Sequence, residues 1–168
     1  MKKIIIGLFL IMVTAVFINE KEQLLIPDNA IRFRIIANSD SKEDQNLKLE
    51  IKSEVEKELY KLVGEARNIE EARNIISNNL KEVDNILKEY NVEYDISYGN
   101  NYFPTKTYKG IEYNAGNYES LVITVGKGLG ENWWCVLFPP LCLLEADETD
   151  KDEVEYKFFL QEIIDKYL

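Results

Sequence analysis

Hydrophobic and polar positions change their period several times along the chain, and each change predicts an element. Ile31-Arg32-Phe33-Arg34-Ile35 alternates strictly, so Ile31, Phe33 and Ile35 face a core while Arg32 and Arg34 share the opposite face of a strand. The period then becomes helical. Leu47, Ile51, Val55, Leu59 and Leu62 form one apolar stripe, opened by the cap-like Ser41-Lys42-Glu43-Asp44 and closed near Val63-Gly64. A second stripe of Ile69, Ala72, Ile75, Ile76, Leu80, Val83, Ile86, Leu87 and Tyr90 follows Asn68 as its cap, with Asn91 as a stop. Alternation returns at Val92–Tyr98, and Gly99-Asn100-Asn101 predicts a turn.

Tyr102–Tyr108 predicts an extended segment, irregular at Pro104, and Ile111–Tyr113 a short strand. In Tyr118–Val125, Glu119, Leu121, Ile123 and Val125 share one face, with Tyr118, Ser120, Val122 and Thr124 on the other. Gly126-Lys127-Gly128-Leu129-Gly130 predicts a hairpin loop. It lacks the Lys-Ser/Thr ending and following helix of a phosphate-binding loop. The uncharged run Trp133–Phe138 fits a strand buried on both faces and stopped by Pro139-Pro140. Residues Glu145 to Glu155 are acidic, and Val154, Phe158 or Phe159, Ile163 and Tyr167 predict a C-terminal helix. Strand, two helices, several strands and a helix predict an α+β fold. Its sheet should be mainly antiparallel, with two long helices after the first strand and a C-terminal helix.

Ahead of this pattern stands Met1-Lys2-Lys3 and an uncharged run from Ile4 to Ile18. A short basic start and an apolar stretch below the roughly 20 residues of a membrane span predict export. Residues 1–19 are accordingly a signal peptide, cut near Val13-Thr14-Ala15, or an N-terminal membrane anchor. Residues 20–30 are a linker, and 31–168 a single domain.

Composition narrows the chemistry. The net charge is -10, which disfavours nucleic acid and anionic lipid as partners. The sequence has no histidine, so Ser-His-Asp and Cys-His mechanisms and His-ligated metal sites are excluded. No catalytic constellation, cofactor motif or metal-ligand set is expected. Cys135 and Cys142 flank Pro139-Pro140, and a strand followed by a return can bring them within the roughly 4.4–6.8 Å between Cα atoms that a disulfide needs. Two buried thiols are the other reading; a nucleophilic cysteine would lack a histidine base. Trp133 and Trp134, being consecutive, point to opposite faces of their strand, so either both faces are covered or one tryptophan is an interface anchor. Arg32 and Arg34, about 7 Å apart, suit either solvent or a carboxylate-rich partner. Asp95, Glu112 and Glu119 are the candidates for a paired-carboxylate hydrolase, which requires two acids roughly 5–9.5 Å apart.

Three stretches carry a family resemblance. Ile31-Arg32-Phe33-Arg34-Ile35-Ile36-Ala37-Asn38-Ser39-Asp40-Ser41, followed by Asp44-Gln45 and Leu47-Lys48, resembles the N-terminal signature of the stage II sporulation protein R family. So do Phe103-Pro104-Thr105-Lys106-Thr107-Tyr108 with Ala115–Leu121, and above all Asn132–Cys142. The resemblance spans roughly residues 1–145. It implies a protein made in the forespore and exported into the space between the two septal membranes. There it would trigger a membrane-embedded aspartic protease of the mother cell that processes pro-sigma factor E. The implied partner is that protease, with membrane contact only through the N-terminal segment or the receptor. Trp133, Trp134, Arg32, Arg34, Asn38 and Asp40 are the residues expected to meet it. An envelope enzyme using paired carboxylates, or a wall-binding module stacking sugars on tyrosines and tryptophans, are the alternatives.

Overall fold

The computed structural model describes residues 30–108 and 111–142, without the side chains of 107–108 and 111–113. The expected export segment, the linker up to residue 29, the acidic stretch and the C-terminal helix lie outside the described residues. Strand β1 is Ile31–Ile36, helix α1 Lys42–Val63 and helix α2 Ile69–Glu89. Strands β2 (Tyr94–Phe103), β3 (Lys106–Tyr108), β4 (Ile111–Tyr113), β5 (Gly116–Val125) and β6 (Asn132–Phe138) follow. Neither helix is long and apolar enough to cross a membrane.

Both helices begin where their caps predict. The Ser41 hydroxyl accepts from the Asp44 N–H, and the Asn68 side chain from the Glu71 N–H, each satisfying a donor that the first turn leaves open. Acidic side chains at Glu43, Asp44, Glu70 and Glu71 sit in the first turns, where the helix dipole favours them.

Four strands form the main sheet in the order β2-β5-β1-β6, and β3 pairs with β4 in a separate two-stranded ladder. This corrects the expected mainly antiparallel α+β sheet. β1 runs parallel to β5 and antiparallel to β6, and β5 runs antiparallel to β2, so the sheet is mixed. Two helices are present among the described residues, and the C-terminal helix has no counterpart there. The physical reason for the mixed sheet is that β1 inserts between β5 and β6. Residues 126–131 therefore bridge over the end of β1 instead of closing a hairpin. Leu129 and Gly130 N–H groups donate to the Asn38 and Ala37 carbonyls, and the Gly126 N–H to Glu93.

Gly130 fits against this bridge so closely that a Cβ there would stand 2.2 Å from the Ser39 carbonyl oxygen. Gly130→Ala is expected to cost about 1–3 kcal/mol, because backbone must move to make room. An unchanged urea midpoint would show that the bridge yields freely.

The expected turn at Gly99-Asn100-Asn101 is strand instead. Gly99 takes a positive φ of 149° within β2, opposite Ser120. The Asn101 amide donates to the Gly99 carbonyl and to the Ser120 carbonyl and hydroxyl, so turn-forming residues here fasten the β2–β5 pair.

The core lies between the helices and one face of the sheet. Ile31, Phe33 and Ile35 of β1 meet Leu121, Ile123 and Val125 of β5 and Cys135 and Leu137 of β6. Ile51, Val55, Leu59 and Val63 of α1, with Ala72, Ile76, Val83 and Leu87 of α2, close over them. The Phe33 ring meets Trp133 edge-on at 5.9 Å between centroids.

Candidate functional site

The other sheet face gathers cations among aromatic rings. Strand alternation places Arg32 and Arg34 there, opposite Val136 and Trp134 of β6 and Ser120 and Val122 of β5. The Arg32 guanidinium carbon lies 3.3 Å from the centroid of the Tyr118 ring, 5.2 Å from that of Trp134 and 5.5 Å from that of Phe103. Phe103 in turn meets Tyr118 and Trp134 edge-on, at 6.1 and 5.7 Å. The Tyr118 hydroxyl donates to the Asn114 carbonyl, which steadies the ring on which Arg32 stacks. Arg32 is only 3% exposed, and Phe103 is fully buried. A guanidinium can sit here because it is weakly hydrated, planar and attracted to ring faces.

Around this buried centre lies a more open rim. Arg34 is half-buried; its guanidinium carbon is 5.4 Å from the Phe103 centroid, and its Nη1 donates to the Tyr102 carbonyl at 3.1 Å. Its Nε is buried without a hydrogen-bond partner among the described residues. Burial pushes the Arg34 guanidinium below its ordinary pKa, though arginine remains cationic at any physiological pH. Lys106 Nζ stands 5.5 Å from the Trp134 centroid. Three cations therefore share one aromatic face of a chain whose net charge is -10. Such a surface recognises carboxylates or other compact anions through forked donors and ring-backed charge.

The remaining singled-out residues sit elsewhere. Trp133 points to the helix side, packed on Phe33 and with Lys52 Nζ 4.4 Å from its ring centroid. Trp134, on the cationic face, is 6% exposed. Asn38 and Asp40 serve the turn after β1. Asn38 donates to Asp44 and accepts from the Lys127 N–H, while Asp40 accepts from the Glu131 N–H at 2.6 Å. The Ser39 hydroxyl bond, then the Asn38 bond, hold the Asp44 carboxyl below the usual carboxylate range, against a smaller opposing effect of burial. These contacts tie the start of α1 to the bridge before β6.

Cys135 and Cys142 form a disulfide with 5.3 Å between Cα atoms, and both are buried. Pro139 follows a cis peptide bond at the end of β6.

Asp95 and Glu119 do not form a carboxylate pair. Asp95 lies opposite Thr124 on the cationic face, whereas Glu119 shares the helix-side face with Leu121. Glu119 is held by Arg73 in a two-pronged contact at 2.7–3.0 Å and by the Tyr98 hydroxyl at 3.0 Å. Burial, then the bond to Glu119, pushes the Tyr98 hydroxyl well above the usual tyrosine range. The side chain of Glu112 lies outside the described residues.

Sequence reasoning missed Phe103 and Lys106 as parts of the arginine cluster. Alternation gave Arg32, Arg34 and Tyr118 their faces, but only the β2–β5 pairing brings Phe103 to the ring of Tyr118.

Comparison with known proteins adds an independent observation. A family model described as Stage II sporulation protein R matches residues 27–148. The chain is 47% identical over 133 residues to a protein named "Stage II sporulation protein R" from Bacillus subtilis (strain 168), covering 76% of this chain and 59% of that relative. The chain thus spans about 59% of the relative's length. No solved structure matches the chain.

Proposed function

The chain belongs to the stage II sporulation protein R family, and from that premise we propose that it is an exported signal made in the forespore which activates a membrane-embedded aspartic protease of the mother cell. Family membership gives it a role in sporulation. In the proposed mechanism the protein crosses the forespore membrane under its N-terminal segment. It then acts in the space between the septal membranes and binds the outward face of the protease, so that pro-sigma factor E is processed. It performs no chemistry itself.

The observation that supports a ligand over an envelope enzyme is the Arg32–Arg34–Lys106 cluster, backed by Phe103, Tyr118 and Trp134. It offers a preorganised cationic surface. The buried rings and Arg32 set its shape, while Arg34 and Lys106 meet a carboxylate-bearing loop of the receptor. Binding shifts the receptor only if its active state is held more tightly than its resting state.

The test presents the full-length chain to membranes that carry the receptor protease and follows cleavage of the pro-sigma substrate. Cleavage that depends on the chain and saturates with its concentration is the expected result. No cleavage, with folded chain and correctly oriented protease, would sink the activating-ligand reading.

A further inference from the structure

Glu56 is a buried acid in a place where burial is costly. It is 9% exposed, and its Oε1 has no hydrogen-bond partner among the described residues. Its other oxygen pairs with Lys52 at 2.9 Å. A carboxylate with one oxygen left bare in the interior is expensive, so what lies in front of it matters. One Glu56 carboxylate oxygen and the sulfurs of Cys135 and Cys142 all lie within 4.8 Å of one another. These residues come from α1, β6 and the turn after β6, so the fold, not a local motif, assembles them.

We propose that Glu56, Cys135 and Cys142 form a binding site for one thiophilic divalent cation, of the zinc or cobalt class, when the cysteines are reduced. The disulfide is then the closed form of the site. A dithiol reductant opens it: two electrons and two protons pass to the sulfurs, the S–S bond breaks, and the reductant leaves as its own disulfide. The cation then displaces the two thiol protons to water and gains two thiolates and the Glu56 carboxylate.

Charge supports this assignment. Two thiolates and one carboxylate carry three negative charges; a divalent cation and neighbouring Lys52 supply three positive ones. The loaded site is neutral overall, as a buried ionic cluster must nearly be. Once the S–S bond is broken and the sulfurs separate, two thiolates and a carboxylate are the donor types that suit a tetrahedral ion, with a fourth position for water. The Val136 carbonyl oxygen, 3.0 Å from the Cys142 sulfur, adds a further polar atom beside the site. In the disulfide form neither sulfur is a thiolate, so the oxidised chain lacks both sulfur ligands of the site.

The experiment uses the full-length chain in mild detergent, reduced with a phosphine, with Co²⁺ as the probe. Expected is a thiolate-to-cobalt absorption band in the near ultraviolet that saturates at one equivalent, is displaced by Zn²⁺ and is absent from the oxidised chain. Glu56→Gln should weaken binding about tenfold or more, and Cys135→Ser should remove the band. Circular dichroism follows the fold of each sample. The proposal is overturned if the folded, reduced chain shows no band, or if reduction itself unfolds the chain. It is equally overturned if Glu56→Gln binds as tightly as the parent, or if urea-unfolded chain binds with the same affinity.

Discussion

Phe33→Ala is expected to lower the stability of the domain by about 3–5 kcal/mol, the range found for removing a large buried ring. Phe33 is fully buried on the central strand, between Leu121 of β5 and Cys135 of β6. Its ring also supports Trp133 edge-on. Truncation would remove contacts to both neighbouring strands and leave a cavity, because β1 is paired on both sides and cannot shift to fill it. In thermal unfolding the midpoint should fall by on the order of 10 °C, and Trp133 emission should shift as its neighbour disappears. A loss below about 1 kcal/mol would mean that the helices collapse onto the vacated space, contrary to the packing described.

The second large effect separates two arginines that the sequence sets two residues apart. Arg32→Gln should destabilise the fold by about 2–4 kcal/mol. It removes a desolvated cation stacked on three rings and leaves a buried amide that must find new partners. Arg34→Gln, at the half-buried rim, should change stability by under about 1 kcal/mol. Yet it should raise the concentration of chain needed for half-maximal protease activation by about tenfold, equivalent to about 1.4 kcal/mol of binding. Paired urea unfolding and pro-sigma cleavage curves distinguish the two. Normal activation by folded Arg34→Gln would remove this rim from the proposed contact surface. A fully stable Arg32→Gln would show that the aromatic cluster does not depend on its cation.

Much of this arrangement was legible before any coordinates, because faces follow from local period. Arg32 and Arg34 against Ile31, Phe33 and Ile35, and the two faces of Tyr118–Val125, stand as the alternation predicts. Ser41 and Asn68 cap their helices because the side-chain oxygen and the open N–H groups are neighbours in sequence. Which strands become neighbours is a different question. Nothing local in Gly126–Gly130 distinguishes a hairpin loop from a bridge that leaves room for β1, so parallel pairing of β1 with β5 was not visible. The stretch Gly99-Asn100-Asn101 misled because turn-forming amides can also fasten two strands. Glu56 was hidden for a related reason. It lies on a helix otherwise covered by Lys and Glu, and only the return of Cys142 beside β6 reveals that this acid faces inward.

The central position of β1 also governs timing. The strand needs β5 on one side and β6 on the other, and these begin at Gly116 and Asn132, far behind it in the chain. When such a chain emerges N-terminus first from a ribosome, β1 comes out early and waits unpaired while both helices and most of the domain follow. Contacts between distant segments make folding slow, since a long loop must close before they form. The sheet is thus assembled last around its first strand.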